Sequence, residues 1–199
     1  MDFAIPEEIQ DIIQGLKQFI DKKVVPLEQQ HHELLHNERY YYMEDGRRNP
    51  EAEKLRREVR MESAKAGFYN MFGAKELGGD ELGPITALHV YEEIGKSYAN
   101  MKLVDTVVIP SPFTNGLSPV LTGLPDHLKD KYVPGIRSGE KVLCFGLSEP
   151  DAGSDVWGIK TRAVKQGSEW VINGTKQWIS NATYADYCML FAVTNPELA

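Results

Sequence analysis

Residues 145–192 read "FGLSEPDAGSDVWGIKTRAVKQGSEWVINGTKQWISNATYADYCMLFA", and their reading decides the fold. The period here is that of strands, with β-branched and aromatic residues between turn signals. Strands are predicted over 142–147, 159–165, 169–172, 176–180 and 187–194. Gly167-Ser168 and Asn173-Gly174 are expected as hairpin turns, the second because Asn-Gly favours the type I′ geometry. After the first strand comes a Gly- and Ser-containing loop, Ser148-Glu149-Pro150-Asp151-Ala152-Gly153-Ser154-Asp155. A glycine there lets backbone approach a ligand closely, while hydroxyls and free N–H groups can bond its heteroatoms.

Upstream of Glu140 the pattern is helical. Pro6 suits a first helical turn, and Ile9, Ile12, Ile13, Leu16, Phe19 and Ile20 share one face. Pro26 is expected to interrupt or restart that helix. Asn49-Pro50 caps a second helix with Leu55 and Val59 on one face, ending near Gly67. Gly83-Pro84 opens a third, for which Ile85, Leu88, Tyr91 and Ile94 are expected inward. Shorter helices are expected at Ser118-Pro119 and at Pro125-Asp126, the latter ending before Pro134. Helices followed by strands give an α+β chain: an all-helical domain over 1–140, then an antiparallel β domain from 141.

The 199 residues are 42% hydrophobic, enough for a real core. A formal charge of −7 argues against nucleic acid as a partner, because phosphate binding needs a basic surface. Cys144 and Cys188 lie in apolar strand-like runs and are expected as buried, reduced thiols rather than a disulfide. Neither an export signal nor a run of membrane-spanning length is present, so a cytoplasmic protein without membrane association is expected.

His32-Glu33-Leu34-Leu35-His36 matches the H-E-x-x-H of zinc hydrolases, in which two His on one helix face chelate the metal and Glu acts as base. No Gly-x-x-His follows it, though Glu58 or Glu62 could supply a carboxylate. The alternative is a solvated polar helix face. No metal site is expected.

Two segments of the opening stretch resemble signatures of the acyl-CoA dehydrogenase family. Phe145 to Asp155 resembles its aromatic-x-x-Thr/Ser-Glu-Pro-x-Ala-Gly-Ser-Asp loop, and Asn173 to Asn181 its Asn-Gly-x-Lys-x-Trp-Ile-Thr/Ser-Asn hairpin. Lys131 to Glu140 resembles the preceding domain junction, and Gly78-Gly79 a looser element. The resemblance runs from about Phe3 to the last residue. It implies bound FAD and α,β-dehydrogenation of an acyl-CoA thioester, the hydride passing to flavin N5. Phe145, Leu147 and Ser148 would line the flavin, and Gly153 and Ser154 would hold the next part of the cofactor, Ser154 also touching the CoA ester. Trp178 would stack on the isoalloxazine, with Ile179 and Ser180 beside it; Ser180 is placed on the same strand face as Trp178. Glu149 has a structural place in the loop. Family members often carry Thr where this chain has Ser148 and Ser180.

The resemblance further implies fatty acid metabolism, an electron-transfer flavoprotein as electron acceptor and a dimer or tetramer of identical chains. It also implies a longer β domain and a C-terminal helical domain that carries the catalytic Glu. Neither lies within 1–199, so no catalytic residue is assigned and these residues alone are expected to be inactive. Alternatives are an acyl-CoA oxidase or flavin monooxygenase of the same fold, a non-catalytic fragment or partner subunit, and the zinc hydrolase.

Overall fold

The computed structural model describes residues 4–195, which fall into two compact units divided between Lys141 and Val142. The first is helical. Helix α1 (Glu7–Phe19) starts behind Pro6 with Glu7 and Glu8 in its first turn, where carboxylates suit the helix dipole. Its Ile9, Leu16 and the following Ile20 are buried, and Ile12, Ile13 and Phe19 pack against that core. Pro26 does not break the chain. A π-helical turn, Ile20–Val24, widens the backbone so that Pro26 falls near the start of α2 (Val25–Gln30), where a missing N–H costs little. Helices α3 (His32–His36) and α4 (Glu38–Tyr41) are single turns.

Helix α5 (Pro50–Lys65) is capped by the Asn49 side chain, which accepts from Glu51 N. It buries Leu55 and Val59 and also Arg56, Arg60 and Ser63. Each of these polar side chains reaches a backbone carbonyl: Arg56 Nη1 donates to Lys102 O at 2.7 Å, Arg60 Nε to Gly139 O at 3.1 Å, and Ser63 Oγ to Val108 O at 2.7 Å. Glu53 pairs with Arg48 at 2.6 Å and Arg60 at 2.9 Å.

Helix α6 (Pro84–Tyr98) begins at Pro84 as expected, but its buried face differs. Val90, Ile94 and Tyr98 are buried, whereas Ile85 and Leu88 are 60% and 62% exposed and Tyr91 is exposed too. Two apolar stripes cross at Ile94, one stepping by three and one by four residues, and the core takes the second. After α7 (Asp105–Val108), a 3₁₀ turn Pro119–Gly123 is capped by Ser118. Helix α8 (Asp126–Arg137) runs through Pro134 instead of ending before it. In the last turn proline forfeits one backbone bond, while Val133 and Ile136 stay buried on either side of it.

The second unit holds β1 (Leu143–Gly146), β2 (Arg162–Gln166), β3 (Glu169–Asn173) and β4 (Tyr187–Leu190). Strands β2 and β3 form the expected antiparallel hairpin around Gly167-Ser168, Gly167 having φ 64°. Strands β1 and β4 pair in parallel, Leu143 opposite Tyr187 and Cys144 opposite Cys188. Beyond β4, Val193 N donates to Thr161 O at 2.8 Å and Ala163 N to Val193 O at 3.0 Å, tying both pairs together.

Three expectations fail in this unit. No strand forms over 176–180 and Asn173-Gly174 is no hairpin turn: Asn173 ends β3 and Gly174 has φ 155°. A Cβ at Gly174 would lie 2.6 Å from Thr161 Cα, so glycine is needed there for close backbone approach. Cys144 is buried as expected, but Cys188 is exposed. No described helix is long and apolar enough to cross a membrane.

Candidate functional site

The loop leaving β1 is organised by one carboxylate. Glu149-Pro150-Asp151-Ala152 closes as a four-residue turn, Ala152 N donating to Glu149 O at 3.3 Å with Pro150 in the position that favours it, and Glu149 N donates back to Ala152 O at 2.9 Å. The Glu149 side chain is buried, and its two oxygens accept from Lys160 N at 2.6 Å, Thr161 N at 2.9 Å and Lys176 Nζ at 2.8 Å. Burial pushes this carboxyl up, but the Lys176 ammonium and the donated hydrogen bonds outweigh it and hold it down at about 2. Glu149 is thus an anion whose bonds fix the loop, as its structural reading requires.

Lys176 extends the same network by donating to Leu147 O at 2.8 Å, and the next residue's N–H, that of Gln177, donates to Ser148 O at 2.9 Å. The chain is therefore pinned on the Leu147–Glu149 loop immediately before Trp178. Trp178 has φ 59° and its side chain stands 84% exposed. A non-glycine residue in the left-handed region stores about 1 to 3 kcal/mol and persists only where neighbours impose it. The pinned Gln177 stands on one side of it, and Asn181, φ 69° and bonded by the Tyr184 hydroxyl, on the other.

These ties bring the Phe145–Ser148 and Trp178–Ser180 segments together through the bonds at Lys176 and Gln177. Phe145 is half-buried, its ring 4.7 Å from that of Phe191; Leu147, Ser148 and Ile179 are half-buried, and Ser180 is exposed. Trp178 and Ser180 are not on one face of a strand, because the strand is absent. Gly153 and Ser154 are exposed beyond the turn, and a Cβ at Gly153 would meet nothing within 4 Å. An open indole face joined through Lys176 and Gln177 to the Leu147–Ser148 segment, with the Ser148 and Ser180 hydroxyls in the two segments, suits a flat conjugated ring with a polar rim, and among the described residues no contact brings Ser154 to them. Lys160, Thr161, Lys176 and Gln177 were not singled out by sequence reasoning; the only signal for Lys176 was its fixed place in the Asn-Gly-x-Lys run.

The H-E-x-x-H segment is arranged otherwise than a metal site. His32 and His36 stack at 4.5 Å between ring centroids, and His36 Nε2 bonds Glu28 Oε1 at 2.8 Å. Buried Glu28 also accepts from Lys102 N and Leu103 N, each at 2.8 Å. Glu62 is engaged by Lys65 at 2.7 Å. Among the described residues no group of three His, Cys, Asp or Glu side chains is placed to hold a metal ion.

The family models for the acyl-CoA dehydrogenase N-terminal domain and middle domain match residues 6–140 and 144–199. The chain belongs to the acyl-CoA dehydrogenase family. A glutaryl-CoA dehydrogenase of Desulfococcus multivorans is 33% identical over 98% of this chain and 45% of its own length. A cyclohex-1-ene-1-carbonyl-CoA dehydrogenase of Geobacter metallireducens is 38% identical over 67% of this chain and 34% of its own. Among solved structures, a glutaryl-coenzyme A dehydrogenase in complex with glutaryl-CoA aligns with TM-score 0.66 and 29% identity, over all of this chain and 45% of its own. The chain thus spans under half the length of these relatives.

Proposed function

We propose that residues 1–199 supply the helical domain and the beginning of the flavin-binding β domain of an FAD-dependent acyl-CoA dehydrogenase. The observation that carries this reading is the pinning of Lys176 and Gln177 onto Leu147, Ser148 and Glu149, which presents the strained, open Trp178 beside the first motif.

In this reading Trp178 and Ile179 cover the flavin ring and exclude water from it, Phe145 and Leu147 supply apolar contact, and Ser148 and Ser180 bond its polar rim. Gly153 and Ser154 hold the next part of the cofactor, and the Ser154 hydroxyl also meets the thioester. When bound, the flavin accepts a hydride equivalent from an acyl-CoA oxidised between its α and β carbons. Glu149 takes no proton here, since its carboxylate is committed to Lys176, Lys160 and Thr161. No residue of 1–199 is assigned the base for the α-proton. An electron-transfer flavoprotein as acceptor and assembly of identical chains complete the proposal.

The test is to load the purified full-length protein with FAD, desalt it and add saturated acyl-CoA thioesters in turn. Retained flavin whose visible absorbance bleaches on substrate addition, with transfer to an artificial dye, is expected. Failure to retain flavin, or no bleaching with any thioester, overturns the reading. Oxygen consumption coupled to bleaching would identify an oxidase instead.

A further inference from the structure

Cys144 of β1 and Cys188 of β4 are register partners in a parallel pair. Neighbouring strands lie about 4.8 Å apart, within the Cα separation of about 4.4 to 6.8 Å that a disulfide spans. Both thiols lie on one sheet face. Side chains alternate along a strand, so Cys144 and position 146 point the same way. A Cβ at Gly146 would sit 2.9 Å from Cys188 Sγ, which places the Cys188 thiol on that face, in the room left by the missing side chain. The opposite face carries the Phe145 and Phe191 rings, 4.7 Å apart. One thiol is accessible and the other is not: Cys188 is exposed, and Cys144 is buried. Burial pushes the Cys144 thiol up to about 11, with the adjoining Cys188 thiol adding to the shift.

We propose that Cys144 and Cys188 are a redox pair that closes a reversible disulfide across β1 and β4, taking its oxidising equivalent from a small disulfide such as oxidised glutathione. The Cys188 thiolate attacks one sulfur of the small disulfide, releasing one small thiol and leaving a mixed disulfide on Cys188. Cys144 then loses its proton and attacks Cys188 Sγ, displacing the second small thiol. Two protein S–H bonds are replaced by one S–S bond, and one small disulfide is reduced to two thiols. Entry is at Cys188 because the attacking group must be reachable: Cys188 is exposed and Cys144 is buried. The bond joins β1 to β4 one turn of the pleat before the chain enters the Leu147–Glu149 loop. Such a link, next to solvent on one side, belongs to the labile class that a reducing pool reverses.

The experiment uses the full-length protein, incubated with oxidised glutathione and then treated with a thiol-blocking reagent. Intact mass spectrometry should show the loss of two hydrogens without a glutathione adduct, and the digest a cross-linked peptide pair containing Cys144 and Cys188, released by dithiothreitol. Cys144→Ser should stop at a stable glutathione adduct on Cys188, and Cys188→Ser should leave Cys144 unmodified. The peptide map of the unsubstituted protein decides the matter even where a variant misfolds. Stable adducts on the unsubstituted protein without a link, complete lack of modification, or a link only between two chains would each overturn the pairing.

Discussion

Lys176 Nζ stands 2.8 Å from Glu149 Oε1, with both side chains largely buried, and this one ion pair joins the two motifs that the flavin reading needs. The ammonium also reaches Leu147 O, so it holds loop and following segment at once. Removing one partner of such a pair leaves the other charge buried and uncompensated. Lys176→Met should therefore destabilise the protein by about 3 to 5 kcal/mol and release flavin with it. Denaturant unfolding measures the first and flavin retention after desalting the second; unchanged values for both would show that the pair positions nothing.

The same carboxylate sets a pH dependence. Folding lowers Glu149 from an ordinary 4.5 to about 2. A depressed folded-state value means that the folded protein binds this proton less readily than the unfolded chain. Its stabilising contribution is complete above pH 4.5 and is lost as pH falls from there through about 2. Glu149→Gln removes that proton-linked component, so its stability curve should be flatter than the parent's over the same interval. Parallel curves would place the acid sensitivity elsewhere.

Much of the helical unit was legible in the sequence because its signals are local. The stripe from Ile9 to Ile20 and the Asn49-Pro50 cap depend on neighbours within a few residues, and both hold. The inward face of α6 was not legible, since Ile85, Leu88 and Val90 are all apolar and only packing chooses among them. The segment around Trp178 failed for a related reason. Its β-like residues predict a strand, yet Lys176 and Gln177 commit their bonds to Leu147, Ser148 and Glu149, about thirty residues back, instead of to a ladder. The candidate site is read through motif resemblance; the ion pair that joins its two segments is long-range, and its one trace in the sequence is the place of Lys176 in the Asn-Gly-x-Lys run.

Trp178 and Trp157 form an internal control, being 84% and 82% exposed. Neither ring is buried by its neighbours, so truncating either should leave the stability of the flavin-free protein nearly unchanged. Trp178→Ala should weaken FAD retention by about 1 kcal/mol or more, the contribution of stacking beyond area burial, and Trp157→Ala should not. Flavin dissociation constants for the two variants make the comparison; equal retention in both would remove the stacking role.

Gly174 tests whether the path into the site matters as much as the groups in it. A methyl at this position would lie 2.3 Å from Thr161 Oγ1 and 2.6 Å from Thr161 Cα, and the φ of 155° is one that side chains rarely adopt. Thr161 cannot retreat freely, because its N–H is donated to Glu149 and its carbonyl accepts from Val193 N. The strain of Gly174→Ala must therefore pass into the Glu149 network or push the chain entering Lys176 away from it. Overpacking of this kind costs about 1 to 3 kcal/mol. Loss of flavin affinity should accompany the loss of stability, since both depend on where Lys176 lands. Thr161→Ala in the same background removes the hydroxyl but leaves the backbone of residue 161 crowding the new methyl, so it should restore only part of the stability. Full rescue by Thr161→Ala, measured by thermal unfolding, would show that the backbone approach of Gly174 to Thr161 is not what the glycine is there to permit.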